Sequence, residues 1–433
     1  MKAREIINRL VWIDAKVNNS ENTGYQNKLK AKYGLKIETY DKAGDGIRAL
    51  EKIQFESIFV ITSGSIYPEF FGYMQRTFSE LRVIPFSIIF TSSTKNFIEK
   101  HKFDQIGKLY NKTFFNRGGV VDIFDGVVEF INEIYSKLDS FPTINKYKGV
   151  FTKNYSGLIV FEKVLNSLTL PRFYEEIYYN KHIDYNELNN FTIFFLKNFC
   201  SNKDVEKLLK PLLLFKEVPE EIISKYWARI YTYETPFYSI MNKALMKKEY
   251  TIFEVYIKLL YKGLVLNSYR PKFGAKLIRG TKLEKTEINY LKSIAGTNQI
   301  IYNRSFLSFS LNKEKSIKFQ YNTERIPLEE LMKHMSIANP PKKGGTKGLS
   351  VLIEVDNIDE SQKKDYVLSN AFLYDISYYT KEEEVLIFPF TGFEVIDWET
   401  YSFEDKDGNE TEGTLFKFKF SKNYFRLIKE KYD

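Results

Sequence analysis

Residues 381–395 read KEEEVLIFPFTGFEV, three consecutive glutamates opening an apolar run of strand type. Like charges repel and burial disfavours the ionised form, so a carboxylate cluster at the lip of a buried strand is costly. Chemistry explains it better than stability does, because negative charge held beside a dry site stabilises a positively charged transition state. In an extended chain Glu382 and Glu384 point one way and Glu383 the other. Two carboxylates would then face one site and the third would face solvent. Taken alone, such a run reads equally well as solvated charge, so the case depends on what lies upstream.

Upstream, residues 228–245 (ARIYTYETPFYSIMNKAL) carry apolar positions at helical spacing, with Thr235 and Pro236 as cap and first turn. A second helix is expected over 253–265. A strand ending LIRGT follows, with Arg279 next to Gly280. Then come SFLSFSLNKEKSIKF at 305–319, strands at 349–355 and 371–377, and the glutamates.

This order resembles the arginine-specific, R-S-E type of mono-ADP-ribosyltransferase, over roughly residues 223–433. Arg279–Gly280 stands at the Arg-Gly position at the end of a strand. Ser308–Phe309–Ser310 stands at the Ser-Thr-Ser turn, with Phe in place of the middle Thr. Glu382–Glu383–Glu384–Val385 stands at the Glu-x-Glu motif, and Met241–Asn242 at a Leu-Asn position of the helical lead-in. The resemblance implies an α+β fold of two short sheets packed face to face, with NAD as substrate in the cleft between them. It implies cleavage of the nicotinamide–ribose bond through an oxocarbenium-like transition state and transfer of ADP-ribose to a guanidinium. By the same resemblance, Glu384 stabilises the cation and bonds the ribose 2′-OH, and Ser308 holds Glu384 in place. Arg279 pairs with the pyrophosphate through its planar fork, and the Gly280 backbone holds the nicotinamide amide. Glu382 orients the acceptor arginine, the turn at 378–381 contacts the target protein, and Phe319 packs on nicotinamide or in the core. No metal is implied. An NAD glycohydrolase on the same fold and a catalytically silent signalling or scaffold protein remain as alternatives. The Phe at 309 puts the geometry of the turn in question and leaves the first serine intact.

The elements that position these residues belong to a chain of 433 residues, long enough for two or three domains. In residues 1–145, apolar strands at 10–15, 36–40, 57–62 and 86–91, with a shorter candidate at 109–115, alternate with helical patterns at 46–53, 96–103 and 122–138. That alternation argues a parallel sheet covered on both faces. The domain resembles a receiver or flavodoxin-like domain in outline. Ligands in such folds sit at the C-terminal ends of the strands, where Asp14 follows the first strand. After the third strand, Thr62, Ser63 and Gly64 stand where a receiver has its phospho-acceptor aspartate. Thr91 and Lys112 suit two other receiver positions. A non-catalytic sensor or interaction role is the simpler reading, since fold alone carries no function.

Residues 146–222 read as a helical connector, with helices over 158–168, 173–179, 187–199 and 205–215. The tail supports further sheet: residues 405–413 make a turn, and Phe416, Phe418 and Phe420 alternate with Lys417 and Lys419. The whole is therefore expected to be multidomain, α/β followed by α+β. Net charge is +9, but acids are interspersed with the bases and no long Lys/Arg block occurs, so no nucleic-acid partner is expected. Cys200 is the only cysteine, which rules out an intrachain disulfide and favours a reducing, cytoplasmic setting. No apolar run reaches spanning length, so no membrane contact is expected. The implied partner is a protein with an exposed arginine.

Overall fold

The computed structural model describes residues 2–53, 56–70, 72, 84–101, 119–140, 161–163, 177, 183–198, 203–214, 220–233, 236–246, 250, 253–267, 275–321, 349–356, 370–373, 376–378, 383–405 and 408–432. The chain divides into two units, Met1–Asn145 with Tyr185–Tyr226, and Lys146–Asp184 with Trp227–Asp433. Each unit has its own sheet.

In the first unit, strands β1 (Arg9–Ile13), β2 (Lys36–Tyr40), β3 (Ser57–Ser63), β4 (Ile84–Phe90) and β5 (Val120–Val121) form a parallel sheet in the order β2-β1-β3-β4-β5. Leu10–Ile13 and Ile58–Ile61 are wholly buried, as strands covered on both faces must be. The helices are α1 (Ala3–Ile6), α2 (Ser20–Tyr33), α3 (Ala43–Lys52), α4 (Thr94–His101), α5 (Phe124–Ser140), α6 (Tyr185–Asn198) and α7 (Lys203–Leu212). Helix α2 starts where the Asn19 side chain accepts from Asn22 N at 2.7 Å, and stops at Gly34 in the left-handed region, φ 70°. The short strand expected at 109–115, and Lys112 with it, lie outside the described residues; β5 stands later in the chain. At the end of β1, Asp14 is used locally: its carboxylate accepts from Lys16 N at 2.8 Å and from Asn22 Nδ2 at 3.3 Å.

The second unit contains β6 (Phe161–Lys163), β7 (Lys276–Leu283), β8 (Ile300–Asn303), β9 (Leu307–Ser310), β10 (Leu349–Asp356), β11 (Asn370–Phe372), β12 (Glu384–Ile387), β13 (Gly392–Glu404) and β14 (Glu410–Phe420). Their order is β11-β12-β9-β7-β10-β14-β13-β8-β6. The helices are α8 (Glu220–Tyr231), whose C-terminal part belongs here, α9 (Pro236–Met246), α10 (Glu254–Asn267), α11 (Lys285–Ile294), α12 (Lys313–Tyr321) and α13 (Lys422–Tyr432). Pro236 opens α9, as its fixed φ and missing N–H favour. The alternation in β14 holds: Phe416, Phe418 and Phe420 are buried, while Lys417 and Lys419 reach carboxylates of β13.

Two expectations are corrected here. The helix expected over 158–168 is not formed at 161–163, which make strand β6 on the edge of the sheet, antiparallel to β8. Phe161 turns inward there and meets the rings of Phe418 and Phe393 at 5.4 and 6.5 Å, and a short apolar run does not by itself distinguish strand from helix. Among the described residues, the two face-to-face sheets implied by the resemblance are instead one ladder of nine strands. The join is narrow: β7 pairs with β10 along its whole length but with β9 only at Ile278↔Ser310.

A buried asparagine ties β8 and β9 to the turn between β12 and β13. Asn303 is fully buried; its Nδ2 donates to the carbonyls of Ser305 (2.6 Å) and Phe388 (2.8 Å), and its Oδ1 accepts from Thr391 N (2.9 Å). Its backbone carbonyl accepts from Phe390 N at 2.6 Å. Phe390 stands at φ 60°, a conformation costly for a non-glycine residue, and Tyr424 also donates to its carbonyl. Replacing the side chain strands buried backbone groups, so Asn303→Leu is expected to lose about 2–4 kcal/mol of stability in urea unfolding. A loss below about 0.5 kcal/mol would show that this cluster is not what holds the turn.

Candidate functional site

Arg279 and Gly280 lie in the middle of β7. One edge of that strand is bonded to β10, with Arg279 opposite Ile353 and Gly280 opposite Leu352. On the other edge β9 meets it at a single residue pair. There a side chain takes over from the ladder: Arg279 Nη1 donates to the backbone carbonyl of Ser308 at 2.7 Å. A charged donor makes this one of the stronger hydrogen bonds available.

Helix α9 and helix α12 hold β9 from its two ends. Asn242 of α9 accepts from Phe306 N at 3.2 Å, and Arg304 Nη1 donates to Met246 O at the end of that helix at 3.0 Å. Tyr231 and Phe388 pack on the Phe306 ring at 5.6 and 6.1 Å. After β9, Ser310 Oγ accepts from Asn312 N, and Asn312 Oδ1 accepts from Lys315 N, which turns the strand into α12. Ser316 Oγ then donates to Ile278 O of β7 at 2.8 Å. On α9, burial pulls the Lys243 ammonium below the ordinary lysine range.

Strand β12 pairs with β9 through Glu384↔Ser310, Val385↔Phe309, Leu386↔Ser308 and Ile387↔Leu307. Residues directly opposite in an antiparallel pair share a face, so Glu384, Ser310 and Ser308 lie on one face of β12–β9. Glu384 and Ser308 are half-buried, and Ser310 is buried. The register sets Ser310 directly across from Glu384, with Ser308 one pleat further along. Ser310 is the residue that a reading confined to the first serine passes over. The Ser-x-Ser spacing was the available signal, since a period of two puts both hydroxyls on one face.

The alternation expected across 382–384 is corrected. Strand β12 begins at Glu384, because Glu383 stands in the left-handed region, φ 49°, with its carbonyl accepting from Leu311 N at 3.3 Å. An extended repeat cannot pass through such a residue. Glu382 lies outside the described residues. Phe319 falls in α12, which packs on β7, and its side chain is outside the described residues.

Arg279, Ser308, Ser310 and Glu384 thus stand on three neighbouring strands, β7, β9 and β12, with Arg279 one residue past the Ile278↔Ser310 pair. A guanidinium suits the oxygens of a phosphate, and a half-buried carboxylate suits developing positive charge. Among the described residues no group of three or more His, Cys, Asp or Glu is placed to hold a metal ion. Among them also, no helix is long and apolar enough to cross a membrane.

No protein-family model matches the chain. No curated protein matches it either. Solved structures similar to it include Plx2a, an ADP-ribosyltransferase toxin from Paenibacillus larvae, at 16% identity over 46% of this chain and 85% of that one, TM-score 0.29. Another is the ADP-ribosyltransferase HopU1 of Pseudomonas syringae pv. Tomato DC3000, at 12% identity over 46% and 76%, TM-score 0.28. A third is exoenzyme S from Pseudomonas aeruginosa, in complex with human 14-3-3 protein beta and bound to Carba-NAD, at 14% identity over 46% and 74%, TM-score 0.29. At such TM-scores the functional argument rests on the site's own residues.

Because the β7–β9 join is so narrow, Arg279→Met should cost about 1.5–3 kcal/mol in urea unfolding, the scale of one charged hydrogen bond. Stability equal to that of the unchanged chain would mean that the Ser308 carbonyl does not depend on this guanidinium.

Proposed function

We propose that the chain transfers ADP-ribose from NAD to arginine side chains of proteins, releasing nicotinamide. The observation that carries this reading is the meeting of the three motif segments on adjacent strands, with Arg279 bonded to the Ser308 carbonyl and Glu384 paired with Ser310. A guanidinium for the pyrophosphate stands two strands from a carboxylate for the ribose.

In this mechanism the bond from ribose C1′ to the nicotinamide nitrogen breaks, and the electron pair leaves with nicotinamide. Positive charge develops on C1′ and the ring oxygen. Glu384 stabilises that charge and bonds the ribose 2′-OH. Ser308 and Ser310 share its face and restrict its rotamers. Arg279 holds the pyrophosphate as a planar donor, and Gly280, lacking Cβ, lets the nicotinamide amide approach the backbone. A guanidinium nitrogen of the acceptor attacks C1′, and Glu382 takes the proton it loses. No step calls for a metal.

We further read residues 1–145 as a receiver-like domain, 146–222 as a helical connector and 223–433 as the catalytic domain. The strand order β2-β1-β3-β4-β5 supports the first assignment, since flavodoxin-like and receiver sheets share it. Thr62, Ser63 and Gly64 at the end of β3 favour a sensor or docking role over phosphorylation. The lone Cys200 fits a cytoplasmic setting.

Labelled NAD tests the reading. Glu384→Gln should lower transfer by about 10²–10³-fold, the scale of one preorganised electrostatic partner, while NAD still raises the melting temperature. Normal transfer by that variant would remove Glu384 from the mechanism. Glu382→Gln should reduce transfer to agmatine more than it reduces nicotinamide release in acceptor-free buffer. Equal loss of the two would count against an acceptor-orienting role.

A further inference from the structure

Resting on the transfer reading of the site, we propose that Arg229 and Thr232 are positioning residues. They latch residues 376–378 beside Glu384, so that the acceptor protein meets a fixed surface bearing Tyr378. A chain of bonds joins these parts. Leu373 N donates to the Glu384 carbonyl at 2.9 Å, and the Leu373 carbonyl accepts from Ile376 N (2.9 Å) and Ser377 N (2.6 Å). The turn thereby begins on the residue bonded to Glu384 itself.

The far side of the turn is held from the end of α8. Arg229 Nη1 donates to the carbonyls of Ile376 (3.1 Å) and Ser377 (3.4 Å). Thr232 Oγ1 donates to the Arg229 carbonyl at 2.7 Å, which aims a lone pair at Tyr378 N, and it accepts from that N–H at 2.9 Å. One hydroxyl therefore caps the helix and pins the turn. Ile376 and Ser377 are buried, so their backbone groups need these partners.

Tyr378 is different: it is 41% exposed. One face of its ring is stacked on Tyr233, with centroids 4.4 Å apart and planes at 29°. The Arg229 guanidinium lies 5.8 Å from the Tyr378 centroid and 6.0 Å from that of Tyr233. An aromatic ring stacked on a neighbour and still partly exposed is a low-entropy contact surface. Neither Arg229 nor Thr232 has a part in breaking the nicotinamide bond in the mechanism above. Loosening the latch therefore changes how the acceptor is met and leaves NAD cleavage in place.

The test uses the full chain, labelled NAD and an arginine-rich peptide as acceptor, with nicotinamide release in acceptor-free buffer as the second readout. Thr232→Val is close to isosteric and removes the hydroxyl. It should raise KM for the peptide about tenfold and leave nicotinamide release within about twofold, and Thr232→Ser should restore the peptide KM. Arg229→Met should shift the same balance; should it fail to fold, the Thr232 pair decides alone. Unchanged peptide KM in Thr232→Val, or parallel loss of transfer and nicotinamide release, would overturn the latch. So would loss of fold in Thr232→Val alone, which would mark the hydroxyl as structural only. If the unchanged chain releases no nicotinamide, the transfer reading itself fails and the latch falls with it. If it transfers normally and the Thr232 variants behave alike, only the latch falls.

Discussion

The second unit depends on a seam. Strands β7 and β9 are paired at one position, Ile278↔Ser310, and the strands on either side of that pair carry the two halves of the site. A ladder of one pair cannot fix the spacing of two strand groups, because sheet register is secured by repeated bonds. Polar side chains supply the rest. Arg279 reaches the Ser308 carbonyl, Ser316 returns α12 to Ile278, and Asn242 holds the backbone just ahead of β9.

The same logic holds around the glutamates. Strand β12 is short, and the residue before it, Glu383, is in a left-handed conformation that the sequence does not favour. Such a kink persists only where its surroundings over-determine it. Here Leu311 bonds its carbonyl, Leu373 bonds the next one, and Asn303 fixes the turn at the other end of the strand. Glu384 is thus placed by bonds to backbone atoms on both sides, while its side chain stays half-buried at the strand edge.

Much of this was legible in the sequence where a local rule decides. Strand β2 falls at Lys36–Tyr40 as expected, between Gly34 and the turn at Asp41, and Pro236 marks the start of α9. The alternating Phe and Lys residues of β14 announced a sheet with one buried face. The motif residues Arg279, Ser308 and Glu384 fall on strands that prove to be neighbours. Long-range polar bonds leave no periodic trace, however, and nothing local marks Asn303, Arg229 or Thr232 as more than ordinary polar residues. At the edge strand around Phe161, three residues are too few to show a period, so the sequence does not distinguish strand from helix there. The Ser-x-Ser spacing puts Ser310 on the face of Ser308, but its place directly across from Glu384 comes from the pairing of β9 with β12.

The claim at the centre is that one dinucleotide is held across β7, β9 and β12. A crystal structure of the chain with a non-cleavable NAD analogue tests it most directly. The account predicts the pyrophosphate oxygens within about 3 Å of Arg279 and the nicotinamide ribose 2′-OH within about 3 Å of Glu384, normal hydrogen-bond distances. An analogue bound elsewhere on the chain, with Arg279 and Glu384 both out of its reach, would contradict it.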